Sequence, residues 1–138
     1  MAAKPPKLKI KSKIWIEDEE GHAVFGAGRL RILKEIEEHG SIMGAAKALG
    51  MSYRGVWGKI KATEERLGQP VLQKQTGGAH GGGSTLTPFA RSLAERFRQL
   101  ENLTVSAADA LFRGVFASRI EDGEKFTVDE RLGQKQDT

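Results

Sequence analysis

The chain has 138 residues, 22 of them lysine or arginine against 18 acids, and no cysteine. That length is one domain with tails, and the absence of thiols excludes disulfides and thiolate chemistry and points to a reducing cytoplasm. No run of about eighteen apolar residues offers a membrane span, and the lysine-bearing N-terminus lacks the apolar stretch of a secretory signal.

The net charge of +4 is mild, so its distribution says more than its sum. Lys4, Lys7, Lys9, Lys11 and Lys13 all precede the first acid, Glu17. Arg54, Lys59, Lys61, Arg66 and Lys74 form a second basic group, opposed locally only by Glu64 and Glu65.

In chain order, residues 1–7 read as a basic disordered tail. Leu8, Ile10, Ile14 and Ile16 then alternate with polar residues, the pattern of a strand buried on one side. Asp18-Glu-Glu-Gly is a turn signal, and His22-Ala-Val-Phe-Gly returns as a second strand, giving an N-terminal β-hairpin. A first helix is expected over residues 27–38, with Leu30, Ile32, Leu33 and Ile36 as its apolar stripe. Gly40 suits the left-handed position after it, and Ser41 caps a second helix whose buried face is Ile42, Ala45, Ala46 and Leu49. Gly50 ends that helix, Met51 plugs the corner and Ser52 caps a third.

The third helix is expected over residues 53–67, with Gly68 as its stop. Val56, Trp57, Ile60, Thr63 and Leu67 recur at spacings of three and four and are assigned to the core. On that assignment Trp57 is structural, and Trp57→Ala costs about 3–5 kcal/mol. Gly55 and Gly58 are unusual inside a helix, each costing about 1 kcal/mol relative to alanine. They fit either a neighbouring helix or the close approach of DNA.

Residues 70–76 and 84–87 read as short strands around the glycine-rich run Gly77-Gly-Ala-His-Gly-Gly-Gly, which makes a wing. Thr87 caps a last helix, with Pro88 at its first position. Over about residues 88–116 this helix carries a near-heptad seam of Phe89, Leu93, Phe97, Leu100, Leu103 or Thr104, Ala107, Leu111 and Val115. Its first half is short enough to pack on the chain's own body; the rest asks for a second copy. Residues 118–138 read as a polar tail, with a weak hairpin around 120–126.

The catalytic and ligand signatures fail. A phosphate-binding loop needs lysine where Gly83 stands, and Gly26-Ala-Gly28 lacks the third glycine of a dinucleotide fingerprint. His22, His39 and His80 show no metal-ligand spacing, and no base or nucleophile constellation emerges. The expectation is a protein that is not an enzyme and has no cofactor and no metal.

The positive signal is a helix-turn-helix followed by a wing, with double-stranded DNA as the partner. Tyr53 reaches a thymine methyl or a phosphate, and Arg54 can donate twice to guanine O6 and N7. Lys59 and Lys61 suit the sugar-phosphate backbone. Ser41 and Ser52 lie at helix starts, where N–H groups meet phosphate. Gly55 and Gly58 lie along the same helix. In the wing, Lys74, Gln75, Thr76, His80 and Ser84 flank or tip the loop.

Gly-Ser-Ile-x-x-Ala-Ala-Lys-x-Leu-Gly-Met-Ser-Tyr-Arg-x-x-Trp, followed by Thr-Gly-Gly-x-x-Gly-Gly-Gly-x-x-Leu-Thr, resembles the N-terminal DNA-binding domain of the ModE family. These are bacterial molybdate-responsive regulators with a winged helix of LysR type. The resemblance covers about residues 22–116. It implies a recognition helix bearing Ser52, Tyr53, Arg54 and Lys59, a wing over residues 76–84 and a dimerisation helix from Pro88. Too few residues follow Phe116 for the family's molybdate-binding domains, so binding of molybdate or another oxyanion within this chain is not expected.

The resulting expectation is a mostly α fold with small β elements. It comprises a tail over 1–7, a winged helix-turn-helix with N-terminal hairpin over 8–87, a dimerisation helix over 88–117 and a tail over 118–138. Its function would be that of a cytoplasmic, homodimeric, sequence-specific transcription regulator. The alternatives are a sequence-tolerant architectural DNA-binding protein and a protein-interaction module.

Overall fold

Helix boundaries in this chain follow its glycines and hydroxyls. The computed structural model describes residues 6–75, 83–117 and 127–128. The first helix, α1, runs Ala27–His39; α2 runs Ile42–Leu49 and α3 Tyr53–Leu67. Each stops at a glycine in the left-handed region: Gly40 at φ 72°, Gly50 at φ 66° and Gly68 at φ 69°. An L side chain would be strained at these positions. Ser41 Oγ accepts from the Gly44 N–H at 2.9 Å and Ser52 Oγ from the Gly55 N–H at 3.0 Å, so both serines are N-caps.

The strands are β1 (Lys7–Leu8), β2 (Trp15–Glu17), β3 (Ala23–Gly26), β4 (Leu72–Gln75), β5 (Gly83–Leu86) and β6 (Thr127–Val128); the long helix α4 spans Pro88–Phe116. β2 and β3 form the expected antiparallel hairpin, with an irregularity between Ile16 and Glu17. Asp18 organises its turn, accepting from the Glu20 and His22 N–H groups, each at 2.9 Å. The His22 backbone N–H is the leading reason its carboxyl is held below the usual range.

The longer one-sided strand expected across Leu8–Ile16 is a correction. Residues 9–14 are not strand, and Ile10 and Ile16 are exposed. A strand persists only where a neighbour takes its backbone hydrogen bonds. Here β3 offers four residues before the chain turns into α1, so pairing stops at Trp15. The hairpin's buried side chains, Val24 and Phe25, come from β3.

Residues Ile14–Phe97 form one compact unit, and the described residues before and after it group into a second. In the first unit, α1 contributes Leu30, Ile32, Leu33 and Ile36 to the core, as its stripe predicted. Ala45 and Ala46 of α2 are buried, with Ile42, Leu49 and Met51 partly buried against the same core. Val56, Ile60 and Thr63 are the buried residues of α3. The Thr63 hydroxyl donates to the Lys59 carbonyl at 2.8 Å and accepts from Arg29 Nε at 2.9 Å, which joins α3 to α1. Desolvation, then the like charge of Arg66, lower the Arg29 pKa; Arg66 itself donates to the Ala23 carbonyl.

The start of α4 is tied down by Thr87. Its hydroxyl donates to the Pro70 carbonyl at 2.9 Å and accepts from the Ala90 N–H at 3.1 Å. Phe97, 2% exposed, meets Phe25 edge to face with ring centroids 5.2 Å apart. Phe97 therefore leaves the expected intermolecular seam: it is enclosed by its own fold. Phe89 and Leu93 are partly buried on the same core, so the chain itself accounts for the first half of the seam.

In the second unit, β1 and β6 pair in parallel, Lys7 opposite Thr127 and Leu8 opposite Val128. A region read as polar tail thus contains two strand residues. The weak hairpin expected at 120–126 and the tail residues 1–5 lie outside the described residues.

Candidate nucleic-acid interface

The candidate site is built on α3. α1, α2 and β3 pack against this helix, and Val56, Ile60, Thr63 and the partly buried Leu67 face them. Tyr53, Arg54, Trp57, Gly58, Lys59 and Lys61 are all exposed. Arg54 and Lys59 form no ion pair among the described residues. Lys61 is differently placed: its Nζ lies 3.3 Å from Glu64 Oε1 and 5.7 Å from the Trp57 ring centroid. Its charge is already partly engaged within the helix.

Trp57 is the main correction to the sequence reading. It is 45% exposed and does not belong to the core. At about 100° per residue it lies roughly 90° from the middle of the Val56–Ile60–Thr63–Leu67 stripe. Spacings of three and four admitted it; the position of the neighbouring elements leaves it outside.

The two unusual glycines separate. A Cβ on Gly55 would stand 3.1 Å from Ser52 Oγ, so the capping hydroxyl gives that glycine a reason within the chain. Among the described residues, a Cβ on Gly58 would meet nothing within 4 Å. Gly58 is exposed, mid-helix and unneeded by the fold's own packing.

The wing base is a β4–β5 hairpin in the register Leu72–Leu86, Gln73–Thr85, Lys74–Ser84, Gln75–Gly83. Lys74 and Gln75 are exposed and Ser84 is half-buried. The Ser84 N–H donates to the Gly40 carbonyl at 2.8 Å, and a Cβ on Gly83 would lie 2.7 Å from that oxygen. The wing base is thereby fastened to the corner between α1 and α2, a contact the sequence did not announce. Thr76 and His80, assigned to the wing loop, lie outside the described residues.

One further group comes together: ligand atoms of Glu35, Glu38 and His39 lie within 4.8 Å of one another. The sequence reading saw only scattered histidines, whereas one turn of helix sets His39 Nε2 3.1 Å from Glu35 Oε2. A protonated imidazole in the last turn of α1 complements the helix dipole.

Comparison with known proteins finds relatives of this geometry. Residues 28–91 match the bacterial regulatory helix-turn-helix proteins of the LysR family. That match takes in α1, α2, α3, the wing base and the start of α4. The transcriptional regulator ModE of Haemophilus influenzae is 41% identical to it over 73 residues, 53% of this chain and 29% of that protein. The molybdenum-pterin-binding protein MopA of Rhodobacter capsulatus is 34% identical over 92 residues, 67% of this chain and 35% of its own. The chain spans about a third of the length of these curated relatives. The solved structure of full-length CbnR complexed with its target DNA is similar in fold, with a TM-score of 0.50 at 22% identity over 65% of this chain and 30% of that one. The fold is thus mostly α with small β elements, a winged helix-turn-helix. Among the described residues no helix is long and apolar enough to cross a membrane.

Proposed function

We propose that the chain is a sequence-specific DNA-binding transcription regulator that acts as a homodimer on cytoplasmic DNA. The observation that carries the reading is the outward side of α3, where Arg54 and Lys59 face solvent with no carboxylate paired to them among the described residues. Arg54 supplies a planar fork for guanine O6 and N7. Lys59 supplies a point charge for the backbone. Ser52 accepts from Gly55 N–H with a lone pair, which leaves its hydroxyl proton free to reach a phosphate. Lys74, Gln75 and Ser84 extend the polar surface into the wing base. The likeness to transcription regulators of the ModE group supports the same reading.

Dimerisation is supported by the second half of the α4 seam. Leu103 is 62% and Leu111 67% exposed, and Leu100 and Val115 are exposed with them, at spacings that share one helical side with Ala107. So long an apolar row in water is what a second copy would cover.

The test is Arg54→Ala on duplexes selected from a randomised library. Discrimination at one base pair per half-site is expected to relax, with a loss of about 1–3 kcal/mol. Unchanged selectivity would remove Arg54 from the reading, and equal binding of every duplex by the wild type would favour the architectural alternative.

A further inference from the structure

The DNA-reading role gives Trp57 no part, yet the structure places this residue where such a role would need it. Tyr53, Trp57 and Lys61 stand one turn apart along α3, and all three are exposed. Lys61 Nζ lies over the indole and is held on its other side by Glu64 Oε1 at 3.3 Å. A cation over the ring restrains the side chain, and Trp57 remains 45% exposed. Beside the indole the backbone is bare at Gly58, where even a methyl group would meet no neighbour among the described residues. An anchored aromatic plane next to an empty strip of helix is a shape that receives something from outside.

We propose that Trp57 is a specificity-determining residue whose exposed indole packs on the 5-methyl group of a thymine in the major groove. The inference rests on the DNA-binding reading and deepens it. The choice of group follows from chemistry. Base edges in the major groove are donors and acceptors, apart from the thymine methyl, which is the one apolar feature there. An indole face offers no hydrogen bond and gains by covering apolar surface. Gly58 lets the helix come close enough for contact, because a side chain there would stand off the duplex. Lys61 is carried to the neighbouring phosphate by the same approach and exchanges Glu64 for it.

The experiment replaces each thymine of the selected duplex in turn by deoxyuridine, which removes only the methyl group. Affinity is measured for the wild type, Trp57→Ala and Trp57→Phe. For the wild type, one thymine per half-site is expected to lose about four-fold on replacement, the worth of one buried methyl group. Trp57→Ala should bind the thymine duplex more weakly and show no methyl penalty at that position, while Trp57→Phe retains part of it. The melting temperature of Trp57→Ala should stay close to wild type, which separates a lost contact from a lost fold. Selective wild-type binding with no sensitive thymine, or with the same penalty in Trp57→Ala, overturns the inference and leaves the DNA reading standing. Failure of the wild type to bind any selected duplex overturns both.

Discussion

Glycine at position 58 is a cost without an internal return. In a helix interior it gives up about 1 kcal/mol relative to alanine, and no atom of the described residues occupies the space a Cβ would fill. Gly58→Ala is therefore expected to raise stability by about 0.5–1 kcal/mol while weakening operator binding. Denaturant midpoints and binding isotherms on the same preparation would show the two effects moving in opposite directions. Equal or better binding by the alanine variant would mean that nothing approaches there. Gly55 lacks this property, because its Cβ would crowd the Ser52 cap. Composition alone cannot separate two glycines three positions apart; the surrounding atoms can. Trp57 carries the same lesson in reverse. Its spacing admitted it to the core, and the placement of the neighbouring elements left it in solvent.

At the scale of elements, α4 divides its apolar residues between two environments. Ala90, Ala94 and Phe97 are buried in the core that holds α1 and β3. Beyond Phe97, Leu100, Leu103 and Leu111 are exposed. The double variant Leu103→Glu, Leu111→Glu is expected to yield a folded monomer, since neither side chain contributes to that core. Sedimentation would report the change in mass, and an unchanged dimer would place the interface elsewhere. Boundaries of the helices were readable in advance because capping is local: Ser41 and Ser52 reach N–H groups three residues on. Strand extent was not readable, since a strand depends on a partner remote in sequence. The alternation across Leu8–Ile16 is real, but β3 supports only its last residues. The link between Gly83 and Gly40 is likewise invisible in a linear pattern, because the two positions are distant along the chain and meet through the fold of the wing.

For the whole molecule, the proposed dimer implies a symmetric target. Two recognition helices related by a two-fold axis would read inverted half-sites about 34–36 Å apart, or a multiple of that spacing. Footprinting on genomic DNA is expected to protect such paired sites. A single half-site at saturation would contradict the symmetry. The molybdenum in the names of the relatives gives a second arm to the same measurement: footprints with and without molybdate are expected to coincide. The binding of paired sites should also weaken steeply with salt, as Arg54, Lys59 and Lys74 displace counterions from the duplex.

Short-range chemistry was enough to announce three helices closed by Gly40, Gly50 and Gly68, the hydroxyl that opens α4, the wing strands and the basic character of α3, because each depends on neighbours within a turn or a hairpin. Which side of α3 holds Trp57, how far the N-terminal strand runs, where the wing base is fastened and which half of the α4 seam stays uncovered were settled by packing. Those outcomes turn on atoms brought together from distant parts of the chain, and no local pattern encodes how much room they leave.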